Sequence, residues 1–249
     1  MPIQVLAVSD EVDARIHSPS VRERMGHVTF VVGCGDLPAS YLEFLADALD
    51  RPVYYVLGNH QEELTRGGEK GRRFHPLGGV DLGGHVYQDE ASGLILAGLP
   101  GSPQYSGGPQ QFSESDLYRM IVRMAPRLLW NRWRHGRALD VLVTHSPARD
   151  IGDRDDPAHR GFQAIRRFLE WFAPTYHLHG HVHLYDRSQS PVLHFGETTV
   201  INVFPFQVID VDAIPVMMPA RVPVPASEAA AHHPPRHAEG IRPELERRP

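Results

Sequence analysis

The sequence predicts an α/β protein built on a largely parallel sheet. Two observations carry that expectation. Ile3 to Ser9, Val28 to Val32 and Val53 to Leu57 are continuous apolar runs rich in β-branched residues, as strands buried on both faces read. Each run stops at glycine or a polar group: Ser9-Asp10, Gly33-Cys34-Gly35-Asp36 and Gly58-Asn59-His60. Between the second and third runs, Ala39 to Leu49 places Tyr41, Leu42, Leu45, Ala48 and Leu49 at helical spacing. Strand, crossover, strand, helix, strand is the order of a parallel sheet.

The later elements follow in turn. Val86-Tyr87 and Leu94 to Ala97 are short strand candidates in a glycine-rich stretch, and 98–111 reads as a loop. Ser113-Glu114-Ser115-Asp116 is a helix start, and Leu117 to Trp133 continues at helical spacing, with Pro126 predicting a kink or two helices. Leu139 to Thr144 is a buried strand ending at His145, Phe162 to Phe172 a helix, and Tyr176 to Leu178 a strand ending at His179-Gly180-His181-Val182-His183. Val192 to Phe195, Thr199 to Val203 and Phe206 to Val211 read as closing antiparallel strands. The reading therefore places one domain over 1–212. Residues 213–249, dominated by Pro, Ala, Arg and His, have too few aliphatics to offset ordering entropy and are expected to be disordered.

Bulk properties exclude several classes. A chain of 249 residues with 41% hydrophobic and 22% charged residues suits a soluble domain with a well-buried core. Net charge −5 and the lack of a basic-aromatic platform argue against nucleic acid as partner. One cysteine, Cys34, excludes an intramolecular disulfide. No basic leader followed by an apolar stretch and no apolar run of about 18 residues is present, so neither a signal peptide nor a membrane span is expected. The cytoplasm is the expected compartment, and oligomeric state is not readable. Lys70 is the only lysine, which compositional bias explains more simply than phosphate recognition.

Asp10, Asp36, Asn59, His60, His145, His181 and His183 all fall at the carboxyl ends of predicted strands, the edge where open α/β sheets bind ligands. Carboxylates, an amide and imidazoles together form a hard-to-borderline ligand set, suited to Mn, Fe or Zn.

In order and spacing, Gly35-Asp36, Gly58-Asn59-His60, Thr144-His145 and Gly180-His181-Val182-His183 resemble the signature of calcineurin-like metallophosphoesterases, over roughly residues 3 to 211. The stretch 144–183, with Asp156-Pro157-Ala158-His159-Arg160-Gly161 inside it, looks like a bacterial branch. The resemblance implies a four-layer αββα sandwich of mixed sheets and hydrolysis of phosphomonoesters or phosphodiesters. It also implies a phosphorylated small-molecule substrate and one or two divalent ions. Asp36 would bridge the ions, Asp10 and His183 would hold the first, and Asn59, His145 and His181 the second. His60 would face the substrate as charge stabiliser or general acid.

The sequence departs from this pattern at Val12, where the first motif, Asp-x-His, has its imidazole. Three outcomes follow. Glu11, Asp13 or His17 substitutes; the enzyme is mononuclear; or the protein is a degenerate metal-binding or interaction module, like a retromer subunit that resembles the family. Gln61 replaces a customary acid. His159 and Tyr105 are further candidates for substrate contact, with Gln110 and Gln111 on the same long loop as Tyr105. His179 is expected in the core or behind the ligands, Cys34 in the core, and Trp130 and Trp133 in helix packing.

Overall fold

The computed structural model describes residues 3–60, 75–186 and 188–211. The first sheet contains β1 (Ile3–Val8), β2 (Phe30–Gly33), β3 (Val53–Tyr55), β4 (Gly79–Asp81) and β13 (Phe206–Val211), in the order β13-β1-β2-β3-β4. β1 to β4 are parallel neighbours, and β13 closes the edge antiparallel to β1. The second sheet contains β5 (Val86–Gln88), β6 (Ile95–Leu99), β9 (Val141–Thr144), β10 (Tyr176–His179), β11 (Val192–Phe195) and β12 (Thr198–Asn202), in the order β11-β12-β10-β9-β6-β5. Its central strands are parallel and its two edges antiparallel.

Strand residues alternate between two cores. Val5, Ala7, Phe30, Val32 and Tyr54 pack between the sheets against Leu96, Val141, Val143, Leu178 and Ile201. Their neighbours Leu6, Val8 and Val31 point outward beneath α1 (Val21–Met25) and α2 (Ala39–Leu49), meeting Val21, Tyr41, Leu42 and Leu45. On the far side Ala97 and Leu142 meet α3 (Glu114–His135) and α4 (Gln163–Phe172) through Leu117, Ile121, Leu128, Ile165 and Phe168. The result is the four-layer αββα arrangement. Continuous apolar runs are what a strand needs when both faces are covered.

Three expectations change. Of the two outcomes expected at Pro126, division into two helices does not occur: α3 runs from its Ser113/Asp116 capping box to Gly136 with Pro126 inside it. Pro126 sits one turn after Val122, which is 68% exposed, on the solvent side of the helix. Trp130 and Trp133 are not packing residues either; they are 53% and 74% exposed and lie against one another, ring centroids 4.9 Å apart. The 98–111 loop contributes a two-residue parallel pairing, β7 (Ser102–Pro103) with β8 (Gln111–Phe112). The expected tail, 213–249, and Gln61 lie outside the described residues. Among the described residues no helix is long and apolar enough to cross a membrane.

Candidate metal centre

The parallel strands of both sheets end at one edge and deliver the expected residues there. Asp10 follows β1, Asp36 follows β2, Asn59 and His60 follow β3, His145 follows β9, and His181 and His183 follow β10. Asp10, Asp36 and His181 adopt positive φ of 64°, 55° and 65°. This left-handed geometry is uncommon for residues with a Cβ, and it turns each side chain back over the strand ends.

The glycines of the motifs are required by close approach. A Cβ on Gly58 would stand 2.0 Å from Asp36 Oδ1, and one on Gly180 would stand 1.8 Å from Ser9 Oγ and 2.4 Å from Asp10 Oδ2. Gly-Asn-His and Gly-His-x-His are thus steric statements about the two aspartates beside them.

His145 is the centre of the arrangement and is fully buried. Its Nδ1–H donates to the Cys34 carbonyl (2.8 Å), which leaves Nε2 facing inward. Nε2 stands 2.9 Å from Asn59 Oδ1, 3.1 Å from His181 Nδ1 and 3.2 Å from Asp36 Oδ2. His181 is fixed in the complementary way: its Nε2–H donates to the Ala158 carbonyl (2.6 Å), turning the Nδ1 lone pair toward His145. Asn59 Nδ2 donates to the Tyr105 hydroxyl (3.1 Å), which aims Oδ1 at the same point. Asp36, His145 and His181 place one ligand atom each within 4.8 Å of the others. Donors bound to one ion at about 2.0–2.2 Å stand roughly 3 Å apart, so this set fits a divalent cation. The orientation of each ligand by a partner behind it is the arrangement metal sites use.

Electrostatics agree. Burial alone would raise the Asp36 carboxyl, but the charge and hydrogen bond of His145, with the His60 backbone N–H (2.8 Å), outweigh it and hold Asp36 ionised. Burial would strip the proton from His145, yet Asp36 and Asp10 hold it on. In the absence of a cation, a proton on His145 answers the same demand for positive charge. Burial, then repulsion from His145, drives His181 down to about 3, so its ring stays neutral and its lone pair available.

The other side of the centre is different. Asp10 accepts from Ser9 Oγ (2.5 Å) and from the His181 backbone N–H (2.9 and 3.2 Å). His183 Nε2 stands 3.6 Å from Asp10 Oδ1, and its ring, 41% exposed, is stacked on Phe204 at 4.5 Å. Val12 is partly exposed. Of the three candidates to replace its missing imidazole, Asp13 is held by the Arg15 guanidinium, and His17 packs edge-on to the rings of Tyr41 and Phe44. Glu11 is exposed, and its charge helps to raise His183, after the hydrogen bond of Asp10.

The remaining candidates are placed unevenly. His60 is exposed, and its backbone N–H donates to Asp36 Oδ1. Tyr105 touches Asn59 rather than open solvent alone. His159 pairs with Asp156 (2.8 Å), and its ring centroid stands 5.2 Å from that of His181. Gln111 Oε1 accepts from the backbone N–H groups of Tyr105, Ser106 and Gly107 and so folds the loop that carries Tyr105. His179 and Cys34 are buried as expected. Sequence reasoning missed the carbonyls of Cys34 and Ala158, Ser9, Phe204, and a buried chain behind His145. There His177 Nε2–H donates to Thr144 Oγ1 (2.8 Å), whose hydroxyl donates to the Ser146 carbonyl (2.6 Å). Backbone carbonyls carry no sequence signal; the alternation His177-x-His179-x-His181 was the only hint of the chain.

The calcineurin-like phosphoesterase family matches residues 22–185. The chain belongs to that family. The matched span holds Asp36, Asn59, His60, His145, His181 and His183, while Asp10 and Val12 precede it. Among solved structures, TT1561 of Thermus thermophilus superimposes with TM-score 0.53 at 14% identity, over 85% of this chain and all of that one. Another aligns with TM-score 0.55 at 12% identity over the same shares. At such identities the likeness is one of fold. No curated protein matches the chain.

Proposed function

We propose that the protein is a metal-dependent hydrolase of phosphomonoesters or phosphodiesters, acting on a phosphorylated small molecule in the cytoplasm. The observation that carries this reading is the convergence of His145 Nε2, His181 Nδ1, Asn59 Oδ1 and Asp36 Oδ2 on one point, with both imidazole tautomers locked by backbone carbonyls. Two imidazoles, an amide and a carboxylate suit Mn, Fe or Zn. When bound, a divalent cation supplies Lewis acidity toward phosphoryl oxygens and acidifies water.

The chain's own residues do the rest. His60, exposed and next to Asp36 through its backbone, would protonate the departing oxygen. Asn59 adds a neutral oxygen, so the centre keeps its attraction for phosphate, and Tyr105 holds that amide in orientation. His159 lies on the loop whose Ala158 carbonyl fixes His181, and its ring, 5.2 Å from that of His181, supports a role in substrate contact.

Purified protein stripped with a chelator and reloaded with manganese should hydrolyse a chromogenic phosphodiester, and His145→Ala should not. Turnover in the stripped protein equal to that in the reloaded one would exclude the reading. The second reading, a non-catalytic binding module, is favoured only by Val12; it requires no turnover from a fully loaded centre.

A further inference from the structure

We propose that this chain holds a single tight divalent cation, at Asp36, Asn59, His145 and His181, and that Asp10 serves to position His181 instead of ligating a second ion. The inference rests on the hydrolase reading of the site and departs from the two-ion centre that the family resemblance implies.

The two halves of the centre differ in their imidazoles: two buried and fixed on one side, one exposed on the other. On the tight side, His145 and His181 are 0% and 5% exposed, and each ring has its outer nitrogen committed to a carbonyl. No side-chain entropy remains to be lost when the inner nitrogens are bridged. On the other side, the single imidazole, His183, is 41% exposed. Its Nδ1 is hydrogen-bonded with the side-chain hydroxyl of Tyr185 (3.2 Å), a residue that is itself 72% exposed.

Asp10 is held from two sides by groups that have nothing to do with an ion. Ser9 Oγ–H reaches Oδ2, and the His181 N–H reaches both oxygens. This contact joins the end of β1 to the end of β10 and holds His181 in its left-handed turn, φ 65°, the conformation that brings Nδ1 to 3.1 Å from His145. A Cβ on Gly180 would collide with this pairing. Asp36, the residue that would bridge two ions, has Oδ1 accepting from the His60 N–H and Oδ2 facing His145. Val12 offers no donor, Asp13 is taken by Arg15, and His17 is packed against aromatic rings. Glu11 is the remaining carboxylate near His183.

The test is a count of manganese retained after gel filtration, with a calorimetric titration, on the whole chain and on folded variants checked by circular dichroism. The expected result is one ion per parent chain, none in His145→Ala, and one, with affinity within about twofold of the parent, in His183→Ala and Glu11→Gln. Asp10→Asn should keep one ion but bind it at least tenfold more weakly, because an amide holds the His181 N–H less firmly. Val12→His should add a second binding step. Two ions of comparable affinity in the parent, or loss of an ion on removing His183 or Glu11, would overturn the inference and leave the hydrolase reading intact. One ion without any hydrolysis would do the reverse, and no ion in the parent would end both.

Discussion

His181 Nδ1 stands 3.1 Å from His145 Nε2, and each ring has already given its other N–H to a backbone carbonyl, Ala158 and Cys34 respectively. Two imidazole lone pairs aimed at each other in a buried pocket repel unless a positive charge lies between them. Asp36 Oδ2 and Asn59 Oδ1 close on the same point. A protein fold does not build such a cluster without a cation or a proton to satisfy it, and the expected outcomes below follow from that demand.

The close approach of Gly58 to Asp36 makes its side chain a critical absence. Gly58→Ala sets a methyl 2.0 Å from Asp36 Oδ1, so backbone or carboxylate must shift. The expected cost is about 1–3 kcal/mol of stability, as for other overpacked sites, with manganese affinity falling at least tenfold. Urea unfolding and calorimetric titration check both.

Behind His145, the hydrogen bond from His177 Nε2–H to Thr144 Oγ1 fixes the turn that presents its ring. His177→Leu removes it and should cost about 1–3 kcal/mol and weaken manganese about tenfold. His177→Gln, which retains a donor, should recover most of the affinity. Equal affinity in the Leu variant would show that His177 merely fills space.

In metal-free protein, acid should unfold the chain through its buried imidazoles. Burial lowers His179 to about 4 and, with repulsion from His145, His181 to about 3. Their unfolded counterparts take up protons near pH 6.5, so below that pH the unfolded chain binds more protons and stability falls as pH falls, until the folded imidazoles also titrate. His179→Leu should remove about 1.4 kcal/mol per pH unit from the slope between roughly pH 6.5 and 4, measured by urea unfolding. An unchanged slope would mean that His179 takes up its proton over the same pH range in the folded and the unfolded chain.

His60 contributes its side chain to no described ligand contact and is exposed, while its backbone anchors Asp36. His60→Ala should therefore leave the manganese count unchanged and lower kcat on an unactivated phosphoester by about 10²–10⁴-fold. A substrate with a good leaving group, which needs no proton donor, should be affected much less.

Much of this was legible in the sequence because buried parallel strands write continuous apolar runs, and each run ended on the polar residue that the fold uses. Asp36, Asn59, His145 and His181 converge as their strand-end positions required. What stayed hidden has physical reasons. The tautomers are fixed by carbonyls, which every residue possesses. Phe204 beneath His183 comes from a connection after β12, remote in sequence, and apolar residues carry no mark of stacking. Pro126 does not divide α3 because, on the solvent side of a long, well-capped helix, water can serve the backbone group that proline leaves unpaired. Trp130 and Trp133 misled because helical spacing does not say which face is covered.

The most direct measurement is the rate of hydrolysis of a chromogenic phosphodiester by the manganese-loaded parent, by Asp36→Asn and by the parent after chelation, side by side. The account predicts turnover in the parent alone, lost in the variant and restored to the chelated parent by manganese. Equal turnover in all three would contradict it, since neither Asp36 nor the cation it helps to hold would then take part.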